Sequence, residues 1–113
     1  MRTLPKHFTA FQKAYPNVAS AYEQFGAAVH AAGPLDARTR TLVKCAIAIA
    51  AGLEGGTHAQ VRKALDAGVS ADELRHVALL AMPTIGFPAA MAAMSWIDDL
   101  AGSKAPRKAS RRR

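Results

Sequence analysis

Groups able to move protons, attack carbon or bind metal are few in this 113-residue chain: four histidines, one cysteine and eight acidic residues. His58 has the most distinctive setting, directly after Glu54-Gly55-Gly56-Thr57 and before an apolar-periodic run. The spacing predicts a helix over 57–67, with Val61 and Leu65 three and seven positions beyond His58, so the imidazole points along an apolar stripe. The positive end of a helix disfavours a second charge on the ring and leaves it able to accept a proton. Glu54, four residues earlier, can fix the imidazole tautomer. A histidine oriented by a carboxylate in an apolar pocket has the chemistry of a general base that removes a proton next to a carbonyl. The same residues also fit a plainer role, a core histidine bonded to backbone with Glu54 as a helix cap.

The backbone amides of Gly55, Gly56 and Thr57 at this helix start can hold a carboxylate or phosphate. No Gly-Lys-Ser/Thr follows them, so a nucleotide-binding loop is not indicated. Arg62, one turn after His58, is either a charge partner for an acidic substrate or a solvated surface residue. His76 follows Asp72 and Glu73 by one turn, the spacing of a surface ion pair. His30 lies near the C-terminal end of a predicted helix, where the dipole suits its charge, and His7 lies near the start of the chain. No HxxxH or HExxH spacing occurs, so neither a metal site nor a cofactor is expected. Cys45 is the only cysteine, which rules out an internal disulfide or a CxxC pair and points to a reducing compartment. Placed between Lys44 and an apolar run, it reads as a small buried hydrophobe.

The elements that must position these groups are helical. Half the residues are apolar but only 6% are aromatic, and the balance of Ala, Leu, Val, Ile and Met favours close-packed helices. A first helix over about 4–14 ends at Tyr15-Pro16, and a second carries Val18, Tyr22, Phe25 and Val29 before Gly33-Pro34 stops it. A third, with Asp36 as its N-cap, runs to Gly52 and is apolar nearly all round in its second half. After the 57–67 helix, Ser70-Ala71-Asp72-Glu73 reads as a capping box opening a fifth helix toward Met82. A sixth begins near Pro88 and reaches 98–101. Val77 to Ile97 has no formal charge, but Pro83, Gly86 and Pro88 split it, so it reads as two buried helices rather than a membrane span. Helices apolar on every side exceed what one small domain can cover, which predicts a homo-oligomer.

The net charge of +7 belongs mostly to one end of the chain. Six of the fifteen basic residues and none of the eight acids fall within 102–113, leaving nine against eight elsewhere. Residues 1–101 are therefore expected to form one helical body and 102–113 a basic, disordered tail, with weak nucleic-acid contact open to that tail. The segment Met1 to His7 has no apolar h-region, so the expected location is the cytoplasm.

Three pieces occur in order at characteristic intervals: Leu35-Asp36-Ala37-Arg38-Thr39-Arg40-Thr41-Leu42-Val43-Lys44, Gly68-Val69-Ser70-Ala71-Asp72-Glu73-Leu74 and Gly86-Phe87-Pro88-Ala89-Ala90. Together they resemble the carboxymuconolactone decarboxylase family, which includes the alkyl hydroperoxidase D branch, over residues 20–100. The resemblance implies a six-helix, all-α, alkyl hydroperoxidase D-like subunit that assembles as a trimer or hexamer. It also implies small-molecule chemistry, either decarboxylation of a lactone acid or thiol peroxidase activity. The positions that carry the cysteine pair, a glutamate and a histidine in the hydroperoxidase branch read Leu53, Gly56, Thr41 and Gln60 here. Positions often filled in the decarboxylase branch by two histidines and an aromatic read Gln60, Leu80 and Thr84. The chain thus looks like a divergent member marked by Glu54-Gly55-Gly56-Thr57-His58, with Gln60 left to hydrogen-bond in the same pocket. Its expected site is His58 and Glu54 for catalysis, with Gly56, Thr57, Gln60 and Arg62 holding the substrate. The competing expectation is a non-catalytic helical oligomer that binds a ligand or partner.

Overall fold

The computed structural model describes residues 6–102, and the basic segment from 103 onward lies outside them. Six helices and no strand occur among the described residues. The chain divides into two compact units, residues 1–37 and 38–113.

In the first unit, α1 (Lys6–Ala14) packs on α2 (Pro16–Ala31). Tyr15 between them sits at φ −133° and ψ 66°, outside the helical region, as a residue before proline should. Its ring lies 5.5 Å from that of Phe11. Only Ala19 is buried in α2, whereas Val18, Tyr22, Phe25 and Val29 all remain more than half exposed. Four large apolar residues on one helical stripe are thus left to water, which is uncommon for a protomer that stays alone.

The second unit is built from α3 (Ala37–Ala50), α4 (Glu54–Asp66), α5 (Ala71–Ile85) and α6 (Phe87–Ala101). Its core gathers Cys45 and Ile49 from α3, Val61 and Ala64 from α4, Leu74 and Ala78 from α5 and Ala93 and Ile97 from α6. Removing a buried residue of this size, as in Leu74→Ala, typically costs about 2–5 kcal/mol through lost burial and the cavity left behind. Helix α6 packs on both α4 and α5 and so links them.

Two boundaries differ from the sequence reading, both for local reasons. Helix α4 starts at Glu54, three residues before the expected Thr57, because Leu53 in extended geometry (φ −96°, ψ 103°) serves as N-cap and the glycines continue the first turn. Gly56 packs closely there: a Cβ would lie 3.2 Å from the Cβ of Leu53, which would have to give by a few tenths of an ångström, and 3.6 Å from that of Ala48. Helix α5 passes through Pro83 to Ile85, since a proline near a helix end removes one hydrogen bond without stopping the final turn. Gly86 then breaks the chain at φ 94°, and α6 follows with Pro88 in its first turn. The capping box forms as expected: Ser70 Oγ accepts from Glu73 N at 3.1 Å, and Glu73 Oε1 accepts from Ser70 N at 2.8 Å.

A buried cation fixes the end of α6 against α5. Arg75 is 7% exposed and donates to Asp98 Oδ1 from Nε at 3.1 Å and Nη2 at 3.0 Å, to Asp72 Oδ1 at 3.2 Å and to the Gly102 carbonyl at 2.7 Å. A guanidinium can be buried only when its donors are satisfied in this way. No described helix is long and apolar enough to cross a membrane.

Candidate active site

The early start of α4 decides where His58 points. Glu54 enters the helix itself, so Glu54 and His58 are i and i+4 on one face rather than a cap and a first-turn residue. Helix α6 packs across that face and brings Asp99, whose Oδ2 lies 2.9 Å from His58 Nε2. With its proton on Nε2 the ring donates to the carboxylate, and Nδ1 keeps its lone pair. The Glu54 carboxylate completes a group whose ligand-capable atoms all lie within 4.8 Å of one another. His58 is 30% exposed through its side chain and Asp99 56% exposed, so the group opens to solvent instead of lining a closed apolar pocket. The partner that orients the ring is therefore Asp99, with Glu54 beside it, and not Glu54 alone.

The remaining expected site residues divide by helical geometry. Arg62 falls one turn beyond His58 on the same face and is half-buried. Its charge reaches the neighbouring Lys63: burial first, then Lys44 and Arg62, lower the Lys63 ammonium below its ordinary value. Gln60 is also half-buried, but two residues of helix carry it about 200° round from His58, so it does not join the group. Thr57 lies inside the first turn of α4. Its amide donates to the Leu53 carbonyl at 2.8 Å, and its side chain is fully buried, so it cannot hold an external anion. Its hydroxyl is a buried polar atom with no hydrogen-bond partner among the described residues. Gly56 is half-buried and close-packed on Leu53 and Ala48, which leaves it a packing role in the turn.

A concave feature not anticipated from sequence lies between α3 and α5. It is a cavity of about 560 Å³ lined mainly by apolar residues such as Leu42, Val43, Val77 and Ile85, with Glu73 and His76 among its few polar groups. Glu73 is held there by Arg38, whose Nη2 donates to Oε1 at 2.6 Å, and this bond lowers the carboxyl below its ordinary value. The acids expected to pair with His76 are thus engaged by arginines, Glu73 by Arg38 and Asp72 by Arg75, while His76 is exposed. Leu80 and Thr84, at two positions where the decarboxylase branch departs from this chain, also line the cavity.

The family model for carboxymuconolactone decarboxylase matches residues 16–99, from the first residue of α2 to Asp99. The chain belongs to the carboxymuconolactone decarboxylase family. No curated protein and no solved structure matches it significantly. Within this family the thiol chemistry of the hydroperoxidase branch has no support from Cys45. The residue is fully buried on α3, and burial pushes its thiol up to about 11, so almost none is thiolate at neutral pH. The paired-cysteine route of the hydroperoxidase branch also needs a resolving thiol, and the sequence holds no second cysteine. What this family member does present is an imidazole aligned by a carboxylate at an open helix surface. Asp99 was invisible as a site residue because it lies 41 positions from His58, and Asp98-Asp99 reads only as a polar helix end.

Proposed function

We propose that this carboxymuconolactone decarboxylase family member is a lyase-like enzyme whose His58 removes a proton next to the carbonyl of a small carbonyl or lactone acid. The supporting observation is the 2.9 Å contact between His58 Nε2 and Asp99 Oδ2. A carboxylate on one ring nitrogen fixes the tautomer and leaves the other nitrogen as the base. The proton moves from the α-carbon to Nδ1, and the C–H electron pair is delocalised onto the carbonyl oxygen as an enolate. Asp99 and Glu54 then stabilise the imidazolium, while Arg62 on the same helix face offers a positive charge to the substrate's carboxylate. A cytoplasmic homo-oligomer, trimeric or hexameric, is the setting we propose.

The reaction is testable before the physiological substrate is known, because proton removal exchanges α-hydrogen for deuterium. A panel of small keto and lactone acids incubated with the protein in D₂O is expected to lose α-proton NMR signal faster than in buffer. His58→Gln should slow that exchange by about 10²–10⁴-fold, the usual worth of a positioned base. Undiminished exchange by the folded His58→Gln protein overturns the assignment.

The apolar cavity between α3 and α5 favours a second reading, a non-catalytic oligomer that holds a ligand there. Binding of an apolar acid that Leu80→Glu abolishes, with no exchange by wild-type protein on any acid of the panel, is the result that selects it.

A further inference from the structure

We infer that Glu54, His58 and Asp99 form a binding site for a divalent first-row transition cation. Two ligand atoms on one ion at about 2.0–2.2 Å sit roughly 3.0–3.4 Å apart at right or tetrahedral angles. His58 Nε2 and Asp99 Oδ2, at 2.9 Å, stand about 0.1 Å short of that separation. The Glu54 oxygen completes a set spanning no more than 4.8 Å, so closing it needs a side-chain adjustment of about an ångström by an exposed carboxylate.

The scaffold is fixed where it matters. Glu54 and His58 share one face of α4, and α6 is tied down one residue before Asp99 by the half-buried Arg75–Asp98 bridge. An imidazole with two carboxylates suits zinc, manganese or iron(II) rather than calcium or magnesium, which prefer oxygen ligands alone. The open side of the group leaves further coordination positions for water or an anionic ligand.

A cation on Nε2 replaces the proton shared with Asp99, and a neutral ligated imidazole then keeps its proton on Nδ1. The ion and the base therefore compete for one ring. This competition rests on the base assignment made above, whereas the binding itself does not.

The test is calorimetric titration of chelator-treated, full-length protein with ZnCl₂ and MnCl₂ in metal-free buffer, beside Asp99→Asn, Glu54→Gln and His58→Gln. Circular dichroism verifies that each variant is folded. The expected result is one site per chain, weakened at least tenfold by each substitution of a ligand. The two exposed carboxylate variants keep the test decisive even where His58→Gln fails to fold. Equal titration by wild type and both carboxylate variants overturns the site and assigns any bound zinc to other histidines. The two proposals fail separately: loss of zinc binding says nothing against wild-type α-proton exchange, and loss of exchange in His58→Gln says nothing for zinc.

Discussion

His58 and Asp99 stand 41 positions apart in sequence and 2.9 Å apart in space, and their pairing gives the helix face its chemistry. The Glu54–His58 half was legible as a four-residue spacing, although Glu54 was expected just before the helix and stands within its first turn. The Asp99 half was not, because only the packing of α6 on α4 creates it. The early start of α4 also places Thr57: its amide donates to the Leu53 carbonyl within the helix. Cys45 gives a prediction at this scale. With its thiol pushed up to about 11, alkylation by iodoacetamide at pH 8 should be on the order of a hundredfold slower in the native protein than in denaturant. Comparable rates in the two states would show that the thiol is not buried as described.

At the scale of elements, the helix count, the capping box and the Gly-Pro stops could be read directly, since each is a short-range signal. The start of α4 and the passage of α5 through Pro83 could not, because each turns on local backbone geometry that residue type does not report, an extended Leu53 as N-cap and a proline tolerated in the last turn. Two predictions belong here. Arg75→Leu should lower the unfolding free energy by about 2–3 kcal/mol in urea titration, less than the 3–5 of a fully buried pair. The discount arises because Asp98 and Asp72 keep 31% and 34% side-chain exposure and can recover water. The Arg38–Glu73 link has a pH signature. Arg38 holds the Glu73 carboxyl below its ordinary 4.5, so its contribution is complete above that value and is lost as pH falls through the lower, folded value. The destabilisation that Glu73→Gln causes in thermal melts should therefore be present at pH 6 and shrink toward pH 3. Because the pair is exposed, the effect is a few tenths of a kcal/mol, and an unchanged difference down to pH 3 would contradict the assignment.

For the whole molecule, the composition foretold an all-helical chain and a surplus of apolar surface, and both are present. Val18, Tyr22 and Phe25 in one unit and Ile47, Leu80 and Phe87 in the other are each more than half exposed. Helical periodicity reports which face of a helix is apolar and not which helix covers it, so the grouping of the helices into two units is visible only in the fold. Apolar surface of this extent is expected to be covered by further copies of the chain. Sedimentation at micromolar concentration should show a trimer or hexamer, and a single monomeric species would contradict it. Deleting residues 103–113 should leave that assembly intact while removing any retention on a nucleic-acid column at low salt. Retention by the shortened chain would place the nucleic-acid contact in the helical body.

The most direct test of the central claim is a double-mutant cycle on α-proton exchange, using wild type, His58→Gln, Asp99→Asn and the double variant with one exchanging acid. A base and its orienting carboxylate act as one unit. The double variant should then exchange no more slowly than His58→Gln alone, with Asp99→Asn falling between it and wild type. Independent, multiplicative losses from the two substitutions would contradict the account and separate Asp99 from the work of the histidine.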